Sequence, residues 1–213
     1  ALEDTQVAAL TNAQVASLTA TQVAAIETTD VVALTTTQVG ALTTTQLGAF
    51  TTTQISSFES TDLAALTTTQ VRGLTSTQLG VLDTTQLQAL SSTLIGALTT
   101  TQLGGLTTTQ VSDLTTTQVG GLTSTQIGAL TTTQATALET TDIAALTTTQ
   151  VKGFTTAQLN AIDTTQLVEL AATQIAALTT TQVRGLNTTQ VAALEDTQVA
   201  ALTNAQVASL TAT

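Results

Sequence analysis

The chain has 213 residues, only 8% of them charged, and its 14 acidic and 3 basic side chains give a formal net charge of −11. Cys, His, Met, Trp, Tyr and Pro are absent, which removes thiolate and imidazole catalysis, zinc sites of the usual kind, and haem or iron–sulfur ligation. The acidic balance excludes the basic footprint that nucleic acid or a membrane-surface helix demands, and no apolar run approaches the roughly 18 to 20 residues of a membrane span.

From the first residues onward the chain keeps a period of eight with consensus L-T-T-T-Q-V-x-A. Leu2, Leu10, Leu18, Ile26, Leu34, Leu42 and Phe50 open a series of large apolar residues that continues every eighth position to Leu210. Four places beyond each comes Gln, as at Gln6, Gln14 and Gln22, replaced by Asp30, Asp62, Asp142 and Leu94. Val, Leu or Ile follows, except at Ala135.

Apolar residues five and then three apart do not make a strand face, but they suit a helix start. With Thr35 as N-cap, Gln38 stands at the third helical position and completes a T-x-x-Q capping box. Leu34 and Val39 then form the hydrophobic staple. The cap position holds Thr 17 times, Glu five times, Asp83, Asp163, Ser91, Asn187 and Ala171. Glu is the poor fit among these, and because Glu27, Glu59 and Glu139 coincide with the three Asp replacements, ETTD or ESTD reads as an alternative cap. One continuous helix fails, because eight residues at about 100° each drift by about 80° per unit.

A second period of 16 lies inside the first. Gly73, Gly105, Gly121, Gly153 and Gly185, which precede the large apolar residue, are separated by multiples of 16, as are Arg72, Lys152 and Arg184. The expectation is therefore an all-α solenoid of very short capped helices, with 8 residues per helix and 16 residues, or two roughly antiparallel helices, per coil. About 13 such coils would make a rod of roughly 100 to 130 Å, and a β-solenoid is the alternative. The octads with Arg72, Gln88, Lys152 and Arg184 after the Val should face solvent. Those with Ala16, Gly48, Gly80, Gly96, Gly128 and Ala144 should be crowded by a neighbour.

Residues 193–213 repeat residues 1–21 letter for letter, so residues 1–213 read as one continuous array with a 192-residue higher-order unit. The ends read as cut from a longer array. The surface of Leu2 and Leu10 would normally be covered by the coil before them, through the counterparts of Leu194 and Leu202, and should drive end-to-end association.

No catalytic, cofactor-binding or metal-ligating residue is expected, and an enzyme is not expected. The pairs Glu27 with Asp30, Glu59 with Asp62 and Glu139 with Asp142 offer calcium few ligands, and the helix-start role accounts for them. A threonine array of the ice-binding kind lacks the strand pattern. A peptide-binding scaffold would vary its exposed positions, which here are monotonous.

The unit T-x-x-Q-[VLI]-x-A-L, as in TTTQVGAL at 35–42 and TATQVAAI at 19–26, resembles the tandem octapeptide arrays of giant bacterial surface and secreted proteins, often labelled adhesin-like. That resemblance implies a structural segment, extracellular or on the cell surface; the expected role is a stalk, spacer or filament-forming solenoid, with a protein-binding or adhesive solenoid scaffold as the alternative. The expected partners are itself, neighbouring rods or cell-surface components, with no nucleic acid and no membrane insertion.

Overall fold

The computed structural model describes residues 3–210, so Leu2 of the apolar series and Thr211 at the last cap position lie outside the described residues. Among the described residues there are 26 helices, from Asp4–Ala8 to Asn204–Leu210, each four to seven residues long, and no strand. The β-solenoid alternative therefore drops out. The helices run in the expected octad frame from end to end.

The local geometry follows from two extended residues placed between helices. After the helix Thr36–Ala41, Leu42 (φ −64°, ψ 137°) and Thr43 (φ −78°, ψ 161°) are extended, and Thr44–Ala49 begins at once. The Thr43 hydroxyl accepts the Gln46 N–H at 3.2 Å, while Gln46 Oε1 accepts the Thr43 N–H at 2.8 Å, so the capping box closes in both directions. Among the described residues none has a positive φ, glycine included, so the chain turns at each helix end without a left-handed residue.

Helices this short have no stability alone, and each is held by burial of its apolar stripe. Through most of the array the fourth helical residue is almost completely buried, as at Val15, Ile55, Ile95 and Ile143, whereas Val199 and Val207 near the end of the described chain are exposed. The large apolar residue before each cap packs beside it, as at Leu34, Leu74 and Leu130. Phe50 and Phe58 occupy this position in consecutive octads and meet edge to face, with ring centroids 5.2 Å apart.

The chain divides into two compact units, residues 1–106 and 107–213. Within the first, Asn12–Ser17 packs on Thr36–Ala41 and Ala20–Ala24 on Thr44–Ala49. Within the second, Thr132–Thr136 packs on Thr156–Ala161 and Ala172–Ala177 on Asp196–Ala201. In every case the partners are three helices apart. Hydrogen bonds reach one helix further, over 28 and 31 residues. A coil therefore takes between three and four helices, about 24 to 32 residues, and the expected 16-residue, two-helix coil is corrected. The physical reason is that two extended residues redirect the chain by far less than a reversal, so the path returns over itself only after three to four helices.

The 16-residue alternation survives with a different cause. Three is an odd number, so stacking three helices apart always sets one octad class on the other. A Cβ on Gly48, Gly80 or Gly128 would stand 2.9, 2.9 or 2.6 Å from the carbonyl oxygen of Gly73, Gly105 or Gly153, each 25 residues on. A Cβ on Gly40, Gly104 or Gly120, in the other class, would meet nothing within 4 Å. The expected crowding is thus present at Gly48, Gly80 and Gly128 but not at Ala16 and Ala144, which are exposed, and Arg72, Lys152 and Arg184 are exposed as expected.

Candidate functional site

The feature built by this fold is a bracket between coils, repeated along each unit. Its centre is the glutamine at the third helical position. In the second unit, Gln158 Oε1 accepts the Thr155 N–H at 2.7 Å, and its Nε2 donates to the carbonyls of Ile127 at 2.8 Å and Leu130 at 2.6 Å. In the first unit, Gln46 Nε2 donates to Val15 and Leu18, both at 2.8 Å, and Gln78 Nε2 to Leu47 at 2.9 Å and Phe50 at 2.6 Å. One amide thus closes its own helix start and reaches two carbonyls at the end of a helix in the coil before it, although those of Val15 and Ile127 also accept the Leu18 and Leu130 N–H at 3.2 Å.

The consequence for burial is direct. Gln38, Gln46, Gln158 and Gln190 are 1 to 3% exposed, although an amide side chain is seldom buried so fully unless every polar atom is satisfied. Gln6, Gln14 and Gln22, by contrast, are exposed. Sequence reasoning found the capping half of this role. The carbonyl half escaped it, because acceptors 28 and 31 residues away leave no local signal. Other bonds tie residues 25 or 26 apart: Arg72 Nε donates to the Ala97 carbonyl at 2.7 Å, Asn160 Nδ2 to that of Gly185 at 3.1 Å, and the Thr36 hydroxyl to Asp62 Oδ1 at 2.9 Å.

The departures from consensus show what each atom does. At Glu59 and Glu139 the carboxylate makes no cap bond. The N–H of Asp62 or Asp142 turns to the Glu backbone carbonyl at 3.0 Å instead. The Glu backbone N–H in turn bonds the Asp carboxyl, so the alternative cap runs through Asp and the Glu main chain. Ala171 has no side-chain acceptor, and the Gln174 N–H again finds the cap carbonyl, at 2.8 Å. Ser91 caps the Leu94 N–H at 3.3 Å, while Leu94 itself is buried and its side chain offers no donor to the coil before it.

The paired acids weighed as calcium ligands stay separate pairs. Among the described residues no group of three or more His, Cys, Asp or Glu gathers in a metal-holding arrangement, and no helix is long and apolar enough to cross a membrane. A cleft lined by Val7, Leu10, Leu18, Ile26 and Leu34 opens at the first coil, where Leu10, Leu18 and Ile26 are only half-buried.

A regular frame of octads, most of them capped by threonine and bracketed to an earlier coil by glutamine, defines a tandem-repeat solenoid of short helices. The chain belongs to the ALTTAQ repeat family, which matches seven stretches in tandem: residues 23–59, 55–92, 82–116, 95–132, 135–172, 167–204 and 175–212. A search of the curated proteins finds no match.

Proposed function

We propose that the chain is a structural segment, a stalk, spacer or filament-forming solenoid of a giant extracellular or cell-surface bacterial protein, without enzymatic activity. The observation that carries this reading is the glutamine bracket. The regularly placed polar side chains of the interior are spent on holding one coil to another, as at Gln46, Gln78, Gln158 and Gln190. The exposed threonines, serines and alanines that remain are nearly the same in every octad, which suits extension by repetition better than recognition of one ligand.

Its partner on this reading is another stretch of the same array. The half-buried Leu10, Leu18 and Ile26 and the exposed amides of Gln6, Gln14 and Gln22 form a face to which the open carbonyls of a further coil are complementary. Such a contact is heterologous and propagates without closing.

Light scattering and electron microscopy of the purified chain, beside Leu10→Lys, test it. Concentration-dependent linear assemblies that Leu10→Lys abolishes are expected. A monodisperse monomer at high concentration overturns self-assembly. Saturable binding to a cell surface by single chains would replace the structural reading with the adhesive one.

A further inference from the structure

In most octads the buried side chain at the third helical position is an amide, with one accepting arm and one donating arm. At 30, 62 and 142 it is a carboxyl, and Asp62 and Asp142 are each 2% exposed. The accepting arm is occupied as usual. The Thr36 hydroxyl and the Glu59 N–H bond Asp62, and the Thr116 hydroxyl and the Glu139 N–H bond Asp142. The donating arm has no equivalent in a carboxylate. Asp142 Oδ2 is buried without a partner.

The array's frame identifies what an amide would have served there. Glutamines donate 31 and 28 residues back: Gln54 and Gln70, on either side of Asp62, to Val23 and Ile26 and to Val39 and Leu42, and Gln150 and Gln158, which follow Asp142, to Val119 and Leu122 and to Ile127 and Leu130. The same register assigns Val111 and Leu114 to Asp142, and Val31 and Leu34 to Asp62. An ionised Asp would set carboxylate oxygen toward carbonyl oxygen in a dry interior, with no donor between them.

The surroundings supply no compensating charge. Thr36–Ala41 and Thr84–Ala89 pack on Ser60–Ala64, while Thr116–Gly120 and Thr164–Val168 pack on Thr140–Ala145. None of these four neighbouring helices contains a basic residue. The ionisable groups that flank the six helices are Glu59, Asp83, Asp113, Glu139, Asp163 and Glu169, all acidic. Burial is the first cause raising both Asp carboxyls above their ordinary value, and the adjacent Glu59 and Glu139 add to it.

We propose that Asp62 and Asp142 keep their proton in the folded chain and donate it to the carbonyls that glutamine serves elsewhere, so that ESTD at 59–62 and ETTD at 139–142 are latches between coils closed by acid. The proton comes from solvent. The folded carboxyls bind protons more tightly than the unfolded ones. Their contribution is therefore complete below the ordinary value of 3.8 and is lost as pH rises through the folded value. Acidification tightens these two octads and neutralisation loosens them, while glutamine octads do not respond.

The test is a carbon-13 carboxyl titration of the whole chain by NMR, with Asp163, which the Thr165 hydroxyl holds below its ordinary value, as internal comparison. Asp62 and Asp142 should ionise after Asp163. An Asp62→Gln/Asp142→Gln chain should resist urea better than wild type at pH 7, by about tenfold in unfolding equilibrium for each pH unit by which a carboxyl is raised, and the advantage should vanish near pH 4. Asp142 ionising together with Asp163 overturns the latch. So does calcium chloride closing the gap at pH 7, since the carboxylate would then hold a cation. Should the double variant fail to fold, the wild-type titration alone decides.

Discussion

Gln158 and Thr155 show how one octad divides its work between a local bond and a distant one. The hydroxyl caps the helix, an exchange worth about 0.5 to 2 kcal/mol, and the amide joins coils. Thr115 has the same capping role, accepting the Gln118 N–H at 3.3 Å, so Thr115→Ala should cost that amount in urea unfolding. On octad position alone, Thr116→Ala ought to be neutral, since the first helical residue faces solvent and Ala is the better helix former. The structure changes that expectation, because the Thr116 hydroxyl bonds the buried Asp142. Thr116→Ala should therefore destabilise by about 1 to 3 kcal/mol, whereas Thr148→Ala, at the same exposed octad position beside a glutamine octad, should fall within about 0.5 kcal/mol of wild type. Equal costs at 116 and 148 would remove Thr116 from the Asp142 bond.

At the scale of the helix, the sequence made legible whatever is decided within eight residues. Cap, box, staple and helix length followed from Thr35, Gln38, Leu34 and Val39, because every contact involved is local. The number of helices per coil did not follow. It depends on the rotation contributed by two extended residues, and its only trace in sequence is a parity, which a two-helix coil and a three-helix stacking interval satisfy equally. Glycine shows the parity in space. A Cβ at Gly128 would press on the backbone oxygen of Gly153 at 2.6 Å, whereas one at Gly104 has open space. Gly128→Ala should thus lower the urea midpoint, and Gly104→Ala should raise it, by up to about 1 kcal/mol from helix propensity. If Gly128→Ala stabilises as much as Gly104→Ala, the close approach three helices apart is wrong.

For the whole molecule, the bracket makes stability a property of neighbouring coils. An octad is held on one side by the carbonyls that its own glutamine reaches and on the other by the glutamine that reaches its carbonyls. Gln46 serves Val15 and Leu18, and Gln78 in turn serves Leu47 and Phe50, so the octads at 43–50 are held from both sides. Octads at 3–10, 11–18 and 19–26 are held from one side, with Gln6, Gln14 and Gln22 exposed and Leu10, Leu18 and Ile26 half-buried. In a quasi-one-dimensional array such octads open first, through local rather than global unfolding. Amide hydrogen exchange of the 213-residue chain should therefore show protection climbing from Val15 and Val23 to Leu47 and Ile55, although all four side chains are equally buried at 0 to 1%. The discriminating comparison is between Val23 and Ile55. Burial alone makes them equal, and the bracket makes Ile55 the slower to exchange, because Gln54 reaches back to Val23 and Ile26 while Gln22 is exposed. Equal protection at the two sites would mean that apolar stacking holds the coils together without help from glutamine.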